Sequence, residues 1–108
     1  MAVTSVAHGS QTATLDTEHT LDTQTVAGVY VLVVDTTNLV AGDIVILRLK
    51  VKAVHDGSST LAYMATFANV QSEPVKFSIP IPVDSEIIVT LEQTDGTGRV
   101  FPWNLLKM

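Results

Sequence analysis

The chain predicts an all-β fold: a single-domain antiparallel β-sandwich, jelly-roll-like, or a small barrel, with about 6–8 strands. Three observations point there. From Asp43 to Val54, Val45, Leu47, Leu49, Val51 and Ala53 fall on one side, while Ile44, Ile46, Arg48, Lys50 and Lys52 fall on the other. Successive strand side chains point to opposite faces, so this is a long strand with one apolar and one basic face; a helix would scatter the cations and bury at least one. The same period recurs from Glu86 to Gln93, where Ile87, Val89 and Leu91 alternate with Glu86, Ile88, Thr90 and Glu92. Short apolar runs are punctuated by turn residues, including Asp56-Gly57 and Asp95-Gly96, as in sandwiches and barrels.

Taken in order, residues 1–25 are small and polar. Gln11 to Leu15 and Glu18 to Leu21 suit short edge strands around Asp16-Thr17, and an extended N-terminal arm suits them equally. The sandwich proper is expected over 26–108, as one domain. Val26 to Asp35 contains Val29 to Val34, apolar on both faces, which places this strand in the middle of a sheet with both sides covered. Thr36 to Asp43 turns the chain, and Gly42 is free to take a positive φ there. The basic-faced strand follows, then a turn at His55 to Ser59. Leu61 to Val70 reads as a strand with Leu61, Tyr63, Ala65 and Phe67 inward. A helix joining Tyr63, Phe67 and Val70 is the alternative, disfavoured by the strands around it. Val75 to Ile81 alternates with Val75, Phe77, Ile79 and Ile81 on the inner side, and Pro80 and Pro82 mark a sheet edge. Beyond the Glu86–Gln93 strand, Thr94 to Gly98 is a second hairpin turn leading to the closing segment Arg99 to Met108.

Composition narrows the function classes. The 108 residues are 46% hydrophobic and only 16% charged, with mean hydropathy +0.35. A soluble monomer's surface ideally carries ~25–35% charged residues, so threonine and serine are expected to supply part of the wet surface and other chains to cover part of it. A net charge of −5 lacks the basic footprint of a nucleic-acid binder. Arg48, Lys50 and Lys52 are instead expected to pair across strands with Glu86 and Glu92. The chain has no cysteine, which removes disulfide scaffolds, zinc ribbons and thiol nucleophiles. No signal-peptide pattern and no ~20-residue apolar span are seen, and a soluble, unexported product is expected.

Candidate chemistry is sparse. His8, His19 and His55 match no metal-binding spacing, and Glu18-His19 and His55-Asp56 are strand neighbours pointing apart. Asp35, Asp43, Asp56, Asp84 and Asp95 suit turn and capping positions, and no calcium-loop pattern is present. No serine sits in a nucleophile elbow, and Gly96-Thr97-Gly98 is too short for a phosphate loop. No catalytic, metal-ligating or cofactor-binding residue is therefore expected, no cofactor, and no enzymatic activity. The C-terminal segment says more. Phe101, Pro102, Trp103, Leu105, Leu106 and Met108 either seal the sandwich as its closing strand or form an interface with another subunit.

Four stretches carry a resemblance: Thr14 to Leu21, Tyr30 to Thr36, Leu39 to Asp43 with the basic strand, and Gln93 to Trp103. In these the chain resembles short virion proteins of tailed bacteriophages, and such small β-rich proteins resemble capsid decoration (cement) proteins. The resemblance implies a structural protein on the capsid surface of the virion, assembled in the host cytoplasm. It implies a homo-oligomer, with a trimer favoured, that clamps the major capsid protein and contacts neither nucleic acid nor membrane. Phe101 to Met108 and the N-terminal arm would be the gripping parts; no stretch dedicated to host binding is evident. A tail, head–tail connector or baseplate component is the alternative. A carbohydrate-binding sandwich would want a row of exposed aromatics, and Tyr30, Tyr63, Phe67, Phe77, Phe101 and Trp103 read mostly inward.

Overall fold

Three segments with alternating burial frame the core: β3 (Gly28–Asp35), β4 (Ile44–Lys52) and β8 (Ile87–Asp95). Their inner residues, Tyr30, Leu32, Val34, Val45, Leu47, Leu49, Ile87, Val89 and Leu91, are all fully buried, joined by Phe101 and Leu105 of β9 (Val100–Lys107). The computed structural model describes residues 2–108. Its remaining strands are β1 (Thr4–Thr12), β2 (Glu18–Gln24), β5 (Ser59–Ala68), β6 (Val75–Phe77) and β7 (Ile81–Val83). Among the described residues there is no helix.

The strands form two sheets. Sheet one has the order β1-β9-β3, with β6 and β7 both paired to the far edge of β3; sheet two has the order β2-β8-β4-β5. Every pairing is antiparallel. The chain passes back and forth between the sheets, and counting β6 and β7 as one interrupted strand leaves four strands in each. That is the jelly-roll wrap of a double-sheet sandwich. Both sheets keep open edges, so the fold is a sandwich and the small-barrel alternative falls.

Residues 4–12 and 18–24 are edge strands, one in each sheet. The first begins well before the expected Gln11, because pairing with β9 extends back from Thr12 to Thr4. The turn between them is tied down by Ala13 N–H donating to Arg99 O at 2.8 Å and Asp16 N–H donating to Gln93 O at 2.9 Å.

Two inward assignments fail at bulges. Lys50 opposes Leu61 while Leu49 opposes Tyr63, so Ala62 is an extra residue and Leu61 turns outward, away from Tyr63, Ala65 and Phe67. Likewise Val33 pairs with Phe77 but Tyr30 pairs with Ile81, leaving Ser78, Ile79 and Pro80 opposite only Val31 and Leu32. One extra residue exchanges the faces of a strand. Val75, Phe77 and Ile79 are consequently exposed, whereas Ile81 and Val83 are buried. The expected single strand from Val75 to Ile81 is thus two, which raises the count among the described residues to nine. Ser78 mends the gap: its hydroxyl accepts Leu32 N–H at 2.9 Å, and its own N–H donates to Leu32 O at 2.8 Å. Lys76, turned inward by the same bulge, places its ammonium 5.0 Å from the Phe67 ring centre where β6 faces β5.

Candidate interaction surface

The two outer faces of the sandwich differ in kind. On sheet two, Arg48 Nη1 lies 2.7 Å from Glu92 Oε1 and Lys50 Nζ lies 2.8 Å from Glu18 Oε2. Glu18 also accepts a 2.6 Å hydrogen bond from Thr90 Oγ1. The Lys50 and Thr90 hydrogen bonds, with the nearby cationic charge, outweigh burial and hold the Glu18 carboxyl below its ordinary range. The Arg48–Glu92 pairing was legible in the alternation, while Glu18 was not, since β2 is placed beside β8 only by the fold. Glu86 and Lys52 do not join the network. Glu86 precedes the first paired residue of β8 and accepts a hydrogen bond from Ser59 Oγ instead, at 2.5 Å. Among the described residues Lys52 makes no ion pair.

Sheet one presents an apolar outer face. Because Tyr30, Leu32 and Val34 point into the core, Val29, Val31 and Val33 point out. The register sets them beside Leu106 of β9, Phe77 of β6 and Pro82 of β7, with Val75 and Pro102 nearby. The strand residue carrying a charge there is Asp35, whose Oδ1 is occupied by Thr37 N–H and the Thr37 hydroxyl. The β1 side of the face is small and polar, with Ser5 Oγ donating to Asn104 Oδ1 at 2.5 Å. A shallow open depression of about 170 Å³ lies among Val33, Asp35, Val75, Pro102, Trp103 and Asn104. Small-molecule sites usually enclose ~300–1,000 Å³, so this hollow suits a protruding side chain better than a ligand.

The predicted C-terminal interface divides along the same alternation. Phe101 and Leu105 are fully buried in the core of their own chain, so they cannot form an interface while the sandwich stands. Trp103 also turns inward, its ring packed over Gly9. Pro102, Leu106 and Met108 take the alternate, outward positions of β9 and its extension, Met108 tied by its N–H to Val29 O at 2.8 Å. Sequence reasoning missed Val75 and Phe77 as surface partners because the bulge that exposes them is a matter of register, whereas Pro82 keeps the outward side the alternation gave it. Val29, Val31 and Val33 did leave a signal, the run of β3 that is apolar on both faces. With Phe77 as the aromatic that opens outward on this face, no row of aromatics forms.

A buried polar cluster joins two turns at one end of the sandwich. Asp43 is 1% exposed. Its Oδ2 accepts Arg99 Nε–H at 2.8 Å and Val40 N–H at 3.0 Å, and its Oδ1 accepts Thr97 N–H at 3.3 Å. Burial alone would push this carboxyl up; the Arg99 guanidinium and the Val40 and Thr97 amides outweigh it and hold it below its ordinary range. Beside it, fully buried Gln93 donates to Asp95 O and Thr97 O at 3.0 and 2.7 Å and accepts Arg99 N–H at 2.9 Å. The Leu39–Asp43 and Gln93–Arg99 stretches are therefore two halves of one staple. Its acceptors are occupied, which makes it a turn-positioning device.

The histidines stay apart. His19 Nε2 accepts Thr14 N–H at 3.0 Å, His55 Nδ1 lies 3.2 Å from Asp84 Oδ2 at the exposed surface, and His8 is exposed on β1. Among the described residues no three His, Asp or Glu side chains converge as a metal site. Compared with protein-family models, with curated proteins and with solved structures, the chain matches none.

Proposed function

We propose that this protein is a structural component of a tailed-bacteriophage virion, acting as a capsid decoration (cement) protein that seats the outer face of sheet one on the major capsid protein. The observation that carries the reading is that face: exposed Val75, Phe77, Pro82 and Pro102 lie together with half-buried Val29, Val31, Val33 and Leu106 on a chain with only 16% charged residues. Aromatic and aliphatic side chains grouped on one plate are the usual core of a protein–protein contact. The resemblance to small phage virion proteins supplies the partner. Jelly-roll sandwiches serve in viral capsids as well as in lectins, so the fold is compatible and decides nothing alone.

Magnitude shapes the mechanism. Three strands spaced ~4.8 Å apart and about eight residues long present on the order of 400 Å². That is about half of one partner's ~800 Å² share of a standard interface. One copy would grip weakly, whereas several linked copies gain through avidity, and binding only the mature shell stabilises it by mass action.

Mixing the purified protein with undecorated capsids tests this. Retention on sedimented capsids and a raised disruption temperature are expected, and Phe77→Ser should abolish both. Absence of retention would end the capsid reading. Retention on tails or portal rings instead would select the tail, connector or baseplate role.

A further inference from the structure

The four sheet edges are not equally defended. At one edge of sheet one, β6 and β7 are three residues each and are set among Pro74, Pro80 and Pro82, with Lys76 between. At one edge of sheet two, β2 carries Glu18 and Asp22 and is bulged at Leu21. Short lengths, prolines, charges and bulges are the devices that keep an edge from recruiting another strand. The other two edges, β1 and β5, are 9 and 10 residues long. None of the 6 Lys/Arg and 11 Asp/Glu residues falls on either strand, and neither contains proline.

Each of these strands does carry a bulge, at Val6 and at Ala62. Beyond it each runs regularly for a matching stretch, Ala7 to Thr12 and Tyr63 to Ala68. They cannot meet within one chain. β1 ends sheet one on the side of β2, while β5 ends sheet two on the side of β6.

We infer that this protein assembles with second copies of itself head to tail, the β1 edge of one copy pairing with the β5 edge of the next. Strand addition supplies main-chain hydrogen bonds that neither edge has alone. Charge favours a second copy as the occupant: the chain is at −5, and neither edge strand brings a carboxylate to oppose another. Side-chain size fits as well: the core-side positions of β1 are Ala7, Gly9 and Gln11, smaller than Tyr63 and Phe67 of β5. The alternative, each edge pairing with its own kind, would set Tyr63 and Phe67 against their own copies. A head-to-tail contact repeats into a closed ring or a helical array, and uses both undefended edges at once.

The absence of cysteine makes the test clean. Ser10→Cys and Thr66→Cys place single thiols at exposed positions near the middle of the two regular stretches. Paired strands hold Cα atoms ~4.5–5.5 Å apart, within disulfide or short bis-maleimide reach. Co-expressed, differently tagged variants should cross-link to each other into a species of twice the chain mass, and neither variant alone should do so. The unmodified protein should have a solution mass above that of one chain. A stable monomer, cross-linking of either variant with itself, or none at all would overturn the inference. It goes beyond the capsid reading: capsid binding without cross-links would end this inference alone, and cross-links without capsid binding would end the other.

Discussion

Asp43 shows how much of a small sandwich depends on one carboxylate. It fixes the β3–β4 turn through Val40, the β8–β9 turn through Thr97, and Arg99 between them. Asp43→Asn keeps the shape but removes the charge facing Arg99, and should cost about 2–3 kcal/mol in urea unfolding. Gly96, at φ +89°, sits where a Cβ would be driven into Asp43 Oδ1. Gly96→Ala should therefore destabilise by more than the ~1 kcal/mol of a permissive glycine exchange. The pH dependence follows from the same carboxyl. Asp43 and Glu18 are both held below their ordinary values, so the folded state binds protons less readily than the unfolded chain. Their stabilisation is present above the unfolded values near ~4 and is lost as pH falls through the depressed folded values. Urea midpoints should stay level from neutral to mildly acidic pH and then fall, and the gap between wild type and Asp43→Asn should close in the acid limb. A gap that persists at the lowest pH would show that the charge on Asp43 is not what stabilises the turns. Asp43 was visible in the sequence as a turn aspartate, but nothing local announced Arg99 as its partner.

At the scale of elements, alternation located β3, β4, β8 and β9 to within a few residues, because one-sided burial imprints period two on the chain. It located β5 as well, but it put Leu61 of β5 and Val75, Phe77 and Ile79 of β6–β7 on the wrong face for a common reason. A bulge adds a residue without altering the apolar–polar rhythm, so Val75, Phe77, Ile79 and Ile81 read as one face while the structure divides them between two. Ser78→Ala removes the hydroxyl that accepts Leu32 N–H and should cost about 1–2 kcal/mol, showing that the bulge is specified by its own residue. The ion pairs on sheet two are partly solvated, with Arg48 and Glu92 side chains 22% and 17% exposed. Glu92→Gln should then cost no more than ~1 kcal/mol, and less at high salt. A loss as large as that of Asp43→Asn would mean this network is as essential as the buried one.

For the molecule as a whole, the two neighbouring leucines of β9 separate folding from the proposed binding. Leu105 is fully buried, and Leu105→Ala should cost ~2–5 kcal/mol. Leu106, one residue on, faces outward, and Leu106→Ser should leave the melting temperature nearly unchanged while weakening the capsid retention proposed above. Equal effects of the two on stability would mean that the outer face is already covered within the protomer. Alone, the amino-acid sequence determined that this is a β protein with one apolar side per strand, one long basic-faced strand and little charge to spare, since each is a property of neighbours along the chain. Only the tertiary structure decided the jelly-roll order, the Asp43–Arg99 staple, the face-exchanging bulges and which apolar surface stays open. Those depend on which strand lies beside which, and register across distant segments is set by the packing of the whole core.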